Sequence, residues 1–352
     1  MLIKTDDFPF ERIPAPLLSW YYENKRSMPW RDKVAPYTTW LSEIMLQQTR
    51  VEAARAYFDR FVAALPTVQA LAECDEDYLL KLWEGLGYYS RARNLQKAAK
   101  QIMETYGGVF PSELNEIKKL AGVGDYTAGA IASIAFGKRT PAVDGNVFRV
   151  TSRLMMNPTP ITEPKYRPYL EDRLREVYPE EGKACGDFTQ SLMELGALVC
   201  KPTSPTCEVC PLQEICRAYQ RGVAEEYPVK GEKLKKREEK LFVFLISTPK
   251  GLCVRKRESG VLKGTYEFPS VVVKDGLTPE KVLKEWGMSA FTVKPSKKFI
   301  HIFTHIRWEM ETYFVEAEDA PFERYSLKEI EEKISLPTAF RQCLSVVKGE
   351  DK

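Results

Sequence analysis

The chain has 352 residues, enough for one large or two ordinary domains, and its 44% apolar and 11% aromatic content supports proper cores. Lys and Arg exceed Asp and Glu only by 52 to 49, a net of +3, so a nucleic-acid partner would be met by a local patch and not by bulk charge. No apolar run reaches about 18 residues, which argues against a membrane-spanning helix, and the opening MLIKTDDFPFERIPAPLLSW reads as neither a secretory signal nor a transit peptide.

From about residue 10 to 200 the pattern is helical. Amphipathic segments at 53–64, 76–86, 90–106, 112–121, 126–136 and 145–155 follow one another without strand alternation. The stretch WLSEIMLQQTRV (40–51) reads as a buried helix, with Trp40, Leu41, Ile44, Met45 and Leu46 around most of its circumference. Glu43 falls between Trp40 and Leu46 on that wheel, a carboxylate on an apolar wall. It is either a satisfied buried acid or a group whose protonation is tuned for chemistry.

LAGVGDYTAGAIASIAF (120–136) sets Gly122 and Gly124 between two helical runs. Glycines permit the tight turn, and the free N–H groups at the start of the next helix bind a phosphate oxygen without net positive charge. The G-V-G spacing and the small residues after it favour a helix-hairpin-helix over an ordinary αα-hairpin. Asp144, in PAVDGNVFRVTSR, is placed to cap the helix that begins near Asn146, a role compatible with catalysis.

Cys200, Cys207, Cys210 and Cys216 form C-x6-C-x2-C-x5-C within 17 residues. In a chain without a signal, four such thiols imply a soft metal centre and not disulfides. Spacing alone leaves zinc and an iron–sulfur cubane both open. The other four cysteines, 74, 185, 253 and 343, are scattered and read as packed thiols.

Composition then shifts. GVAEEYPVKGEKLKKREEK (222–240) is charged and broken by Gly and Pro, as a solvated linker is. LFVFLIST (241–248) and GLCVRKR (251–257) read as paired strands across a Pro-Lys-Gly turn, 291–317 continues the strand character, and short helices fall near 278–287 and 327–334. The expected organisation is an all-α domain (1–221), a linker (222–240) and an α+β domain (241–352).

The buried-Glu helix, the G-V-G hairpin, V-D-G-N and the cysteine quartet, in that order, resemble the endonuclease III or helix-hairpin-helix superfamily of DNA glycosylases. Within it, MPWR (28–31), EIMLQQTRV (43–51), WEGLGYYSRARNL (83–95), AVDGNVFRV (142–150) and ELGALVC (194–200) resemble the MutY group of adenine DNA glycosylases. The likeness is dense over about 18–220. It implies two helical lobes, one carrying the hairpin and one a 4Fe–4S cluster on Cys200, Cys207, Cys210 and Cys216. It implies that Glu43 protonates adenine at N7 as a general acid, that Asp144 stabilises an oxocarbenium-like sugar, and that Tyr126 and Asn146 support Asp144 and the sugar. Where strand-cleaving relatives carry a Schiff-base lysine this chain has Tyr126, so it implies a monofunctional glycosylase that leaves an abasic site.

Base flipping would bring the adenine to Arg26, Trp30, Arg31 and Gln190, with Gln48, Thr49, Leu86 and Tyr88 entering or lining the gap in the duplex, and Gly122 and Gly124 at the backbone. Arg91 and Arg93 are further candidates for phosphate contact. Ala121 departs from the proline usual in the hairpin. Residues 241–346 resemble a Nudix-like domain, but in EKVLKEWG (280–287) only Glu285 and the glycine of the catalytic box remain, with Lys281 and Lys284 replacing carboxylates, so a Mg²⁺ diphosphatase is not expected. His301 and His305 read as sharing one strand face without a metal. Phe303, Thr304 and His305 match the loop that recognises 8-oxoguanine, with threonine adding a methyl group.

The implied function is removal of adenine mispaired with 8-oxoguanine or guanine in duplex DNA, by a monomer acting on cytoplasmic, nucleoid-associated DNA of a bacterium. The competing readings are an endonuclease III-like pyrimidine glycosylase/lyase, disfavoured by Glu43 and Tyr126, a Nudix nucleotide hydrolase, and a non-catalytic iron–sulfur DNA-binding protein.

Overall fold

The fold is that of a computed structural model describing residues 7–231 and 236–348. The first six residues of the N-terminal stretch, residues 232–235 of the expected linker and the last four residues of the chain lie outside the described residues. The chain divides into two compact units, Met1–Glu73 with Asn94–Glu232, and Cys74–Arg93 with Lys233–Lys352.

In the first unit, prolines at the first helical positions start three consecutive helices, α1 (Pro14–Asn24), α2 (Pro29–Asp32) and α3 (Pro36–Leu46). Proline is suited there because its missing N–H would have no partner in any case. α4 (Val51–Ala64) and α5 (Val68–Glu73) follow. The stretch 40–51 is therefore not one helix. α3 stops at Leu46, Gln48 adopts a left-handed φ of 58°, and α4 starts at Val51, so the two glutamines form a corner.

α6 (Glu76–Leu82) belongs to the second unit, and α7 (Ser90–Tyr106) starts there and continues into the first. α8 (Leu114–Ile117) is shorter than the periodicity of 112–121 suggests, because Lys119 N–H and Leu120 N–H turn back to Glu116 and Ile117 in tight three-residue loops. Past the hairpin come α9 (Asp125–Phe136), α10 (Gly145–Met155), α11 (Tyr166–Val177) and α12 (Lys183–Leu198), and α13 (Arg217–Gln220) follows the cysteines. Phe8, Leu17, Val147, Leu170, Phe188 and Leu192 share one core cluster, which draws α1, α10, α11 and α12 together.

The second unit is a mixed seven-stranded sheet. β1 (Arg237–Thr248), β2 (Gly251–Lys256), β3 (Tyr266–Glu267) and β4 (Ser270–Val272) precede α14 (Pro279–Glu285). β5 (Phe291–Ile302), β6 (Ile306–Ala317) and β7 (Glu323–Tyr325) follow, with α15 (Leu327–Glu332), α16 (Thr338–Arg341) and α17 (Leu344–Lys348) at the end. The order is β3-β2-β1-β6-β5, with β4 also on β1 and β7 on β2. β1 and β6 run parallel, from Arg237 opposite Ile306 to Ser247 opposite Glu316.

LFVFLI is continuously apolar because β1 is covered on both faces. Leu241, Val243 and Leu245 enter one core, and Phe242, Phe244 and Ile246 enter another. β1 takes up residues 237–240 as well, which the charge pattern assigns to the linker. Those charges are held by strand pairing and local bonds, for instance Trp308 Nε1–H to Glu239 at 2.9 Å.

Residues 74–93 are built into this second unit. Lys81 donates to the Glu331 and Ile334 carbonyls at 2.5 and 3.0 Å, Glu84 accepts from Leu336 N–H at 2.8 Å, and Lys256 pairs with Asp77 at 2.5 Å. Among the described residues no helix is long and apolar enough to cross a membrane.

Candidate active site and DNA-facing cavities

A cavity of about 690 Å³ opens in the first unit, and α3 supplies one wall with Thr39, Ser42, Glu43 and Leu46. That spacing is a single helix face. Glu43 is only 6% exposed. Its Oε2 accepts the Tyr126 hydroxyl at 2.5 Å from the first turn of α9. Burial pushes the Glu43 carboxyl up to about 7. The nearby Asp144 adds to the rise, while the Tyr126 hydroxyl and Arg31 oppose it. Burial and Glu43 together hold Tyr126 well above its ordinary pKa, so its O–H remains a donor.

Asp144 takes the capping role that its sequence setting suggests. It is the N-cap of α10, its Oδ1 accepting Val147 N–H at 2.7 Å, and it lines the same cavity as Glu43. Its Oδ2 accepts Asn146 Nδ2–H at 2.8 Å. Burial raises its pKa, against the bonds from Val147 and Asn146, and donors of this kind favour the carboxylate form. Asn146 is itself oriented by Arg149, which donates to its Oδ1 at 2.8 Å and to the Cys200 carbonyl at 2.7 Å. Asn146 thus supports Asp144 directly, whereas Tyr126 is bonded to Glu43 and not to Asp144.

Arg26, Trp30, Arg31, Gln48, Thr49, Gly124 and Gln190 line this cavity too. Arg26 and Arg31 are not free guanidiniums: both grip Glu194, at 2.8 and 2.9 Å from Arg26 and 2.9 Å from Arg31. The Glu194 side chain is 1% exposed. Burial raises its pKa, but these bonds outweigh burial and bring it down to about 2. Sequence reasoning missed Glu194. The available signal is like the one that marked Glu43, a carboxylate within an apolar run, here LMELGAL (192–198) of α12. Arg167 also lines the cavity and donates to the Val143 carbonyl, and nothing in its sequence neighbourhood marks it.

Gly122 lies outside the cavity and shapes the hairpin. Its φ is +74°, and a Cβ there would sit 2.7 Å from the Asn94 Cβ. Gly124 is the N-cap of α9.

Leu86, Tyr88, Phe303, Thr304 and His305 gather elsewhere, around a cavity of about 550 Å³ in the second unit. Tyr88 takes a left-handed φ of 47°, and its hydroxyl lies 2.5 Å from Thr304 Oγ1. Leu86 is buried, at 7% exposure, so it lines this cavity and does not project as a wedge. Arg91 is also buried and donates to the Leu86 and Gly87 carbonyls at 2.9 and 3.2 Å, so it shapes the loop and does not meet phosphate. His301 is on β5 but His305 falls in the β5–β6 turn, so the two do not share a strand face; the turn closes through Phe303 N–H to Ile306 at 2.8 Å.

The four cysteines of the quartet are unbridged and line one small apolar cavity. Among the described residues no three His, Cys, Asp or Glu side chains are arranged to hold a single ion. Four thiols around a common space suit a soft metal centre, a tetrahedral zinc ion or an iron–sulfur cluster. Arg153, 1% exposed, pins the loop by donating to Cys200 Sγ at 3.3 Å and to the Lys201 and Pro202 carbonyls at 2.7 and 3.0 Å.

Residues 41–176 match the HhH-GPD superfamily of base excision DNA repair proteins, and residues 242–346 match the NUDIX domain. The adenine DNA glycosylase of Mus musculus is 34% identical, over 87% of this chain and 70% of that one. The Homo sapiens adenine DNA glycosylase is 31% identical, over 95% and 73%. That of Buchnera aphidicola subsp. Acyrthosiphon pisum is 33% identical, over 82% of each. Among solved structures, a thermostable thymine-DNA glycosylase superposes with a TM-score of 0.53 at 27% identity, covering 60% of this chain and 97% of that one. With a buried glutamate, a capping aspartate and the hairpin on one helical scaffold, and relatives of this similarity along most of its length, the chain belongs to the adenine DNA glycosylase family of base excision repair enzymes.

Proposed function

We propose that this glycosylase removes adenine mispaired with 8-oxoguanine or guanine from duplex DNA and leaves the strand intact. Glu43 is the general acid and Asp144 the carboxylate that stabilises the positive charge developing on the sugar. The observation that carries this reading is the pair of acids in one cavity with different partners. Glu43 is buried, near 7, and bonded to a phenol. Asp144 is held by a backbone N–H and a side-chain amide that favour its charged form.

Protonating the purine ring makes it a better leaving group, and a fixed carboxylate lowers the energy of the oxocarbenium-like state. Gln190, Trp30 and Arg26 line the space for the extruded base, which must leave the stack to reach Glu43. Gln48 and Tyr88 both hold left-handed backbone, a conformation costing of order 1 kcal/mol, and each lines one of the two cavities. Tyr126 cannot form an imine, and its hydroxyl is occupied by Glu43, which supports monofunctional chemistry.

Phe303, Thr304 and His305, with Tyr88 beside Thr304, form the 8-oxoguanine reader. Cys200, Cys207, Cys210 and Cys216 hold a 4Fe–4S cluster, which ties the loop after α12 together when bound. The enzyme works as a monomer on nucleoid DNA.

Single-turnover base release from duplexes carrying adenine opposite 8-oxoguanine, guanine or thymine, with and without alkali, tests this reading. Breaks that need alkali and form fastest opposite 8-oxoguanine are expected. Breaks without alkali would overturn the monofunctional assignment, and equal rates opposite all three bases would overturn the role of the 303–305 loop.

A further inference from the structure

Three arginines line the catalytic cavity, Arg26, Arg31 and Arg167. The first two are held by Glu194, and Asp125, on the hairpin side, is paired with Lys118 at 2.7 Å. Arg167 is placed differently. Among the described residues it alone of α11 lines the cavity, so the reach of its side chain brings it there. Its guanidinium lies 5.0 Å over the Phe148 ring and donates from Nη1 to the Val143 carbonyl, in the peptide that leads into Asp144. Among the described residues it forms no ion pair, not even with Glu171 one turn along α11, and its Nε and Nη2 have no hydrogen-bond partner. The residue is half-buried, and neither of those nitrogens is sealed from solvent.

A guanidinium fixed at one nitrogen and stacked on a ring is a pre-organised fork. Its remaining donors and its full charge suit a phosphate. The protein supplies no carboxylate to this fork, and the anion that comes to a glycosylase cavity is DNA. Phosphodiester groups flank the target sugar on both sides, and Asp144, which serves that sugar, directly follows the residue that anchors Arg167. The start of α9, whose free N–H groups suit a phosphate oxygen, lines the same cavity through Gly124, Asp125 and Tyr126.

We infer that Arg167 is a DNA-binding residue that grips a phosphate flanking the target nucleotide through Nε and Nη2, while Nη1 stays on the Val143 carbonyl. This rests on the reading of the cavity as the site of the extruded nucleotide.

The test is equilibrium binding of the full-length protein, across a salt series, to a duplex with 2′-fluoro-2′-deoxyadenosine opposite 8-oxoguanine, whose fluorine disfavours the sugar cation and so keeps the base in place. Arg167→Gln should weaken binding about tenfold and make the slope of log K against log salt shallower by about 1. Arg167→Lys, which keeps the charge, should keep the wild-type slope. A neutral methylphosphonate placed singly at the 5′ or the 3′ flanking phosphate should, at the contacted one, weaken wild type and leave Arg167→Gln no weaker than before. Arg167→Met, which keeps the stem over Phe148, carries the same expectations if the glutamine variant fails to fold. An unchanged salt slope, or a loss that persists in full at both methylphosphonates, would overturn the inference; so would slowed adenine release with unchanged binding, the result of an arginine that only holds the Val143–Asp144 peptide. If wild type binds this duplex no better than a fully paired one, the mispair reading fails, while the slope difference between wild type and Arg167→Gln still decides the phosphate contact.

Discussion

Replacing Glu194 by Gln keeps the side-chain volume but removes the one charge that binds Arg26 and Arg31 together. The drop of the Glu194 carboxyl from 4.5 to about 2 corresponds to roughly 3 kcal/mol at neutral pH. Breaking a buried ion pair from one side costs about 3–5 kcal/mol. The Arg31 and Arg26 side chains keep 15% and 30% of their exposure and can recover some hydration, so the lower end applies, about 2–3 kcal/mol. For a unit of this size that is roughly 5–10 °C in Tm. Because the folded carboxyl lies below its unfolded value, this stability is fully present above pH 4.5 and is lost as pH falls through 2. Thermal unfolding of wild type and Glu194→Gln at pH 7 and pH 3 should therefore show a gap at pH 7 that shrinks to less than half at pH 3. A gap below about 2 °C at pH 7, or one independent of pH, would refute the assignment of the triad as a buried ion cluster.

Three further outcomes follow from the same geometry. In Tyr126→Phe the bond that lowers the Glu43 carboxyl is lost. With Glu43 as the proposed acid, base release in the wild type should fall as pH rises through about 7, and in the variant this fall should move to higher pH in single-turnover profiles. Asp144→Asn should retain the helix cap, since Asn caps as well as Asp, and so keep its Tm, while base release falls by about 10²–10³-fold. Cys210→Ser should abolish the visible iron–sulfur absorption and lower bound iron, measured on the purified protein.

How much of this was legible in the sequence depends on the range over which each interaction acts. The hairpin, the Asp144 cap and the cysteine spacing are local, and each was readable within about 20 residues. β1 was legible as an apolar run, but its true start at Arg237 was not, because charged residues at a strand end are held by partners across the sheet, such as Trp308 on Glu239. Glu194 meets Arg26 and Arg31 across more than 160 positions, and no window of sequence displays that pairing. The corner at Gln47–Arg50 escaped because apolar periodicity persists through it, while the left-handed φ of Gln48 leaves no compositional mark on a non-glycine residue.

The segment 74–93 leaves the helical unit, is stitched into the sheet-bearing unit through Lys81, Glu84, Asp77 and Tyr88, and returns as α7. The two units are thus not consecutive beads, and no single cut separates them. A gene truncated after residue 231 would still encode Tyr88 and Glu84 but not Thr304 or Leu336, the groups they bond. A gene for the sheet alone would lack the strap that Glu331, Ile334 and Lys256 hold. Activities compared between full and truncated chains would mix the loss of the sheet with the release of the loop that carries Tyr88, so the boundary that matters to a protein engineer here is topological and not a position in the sequence.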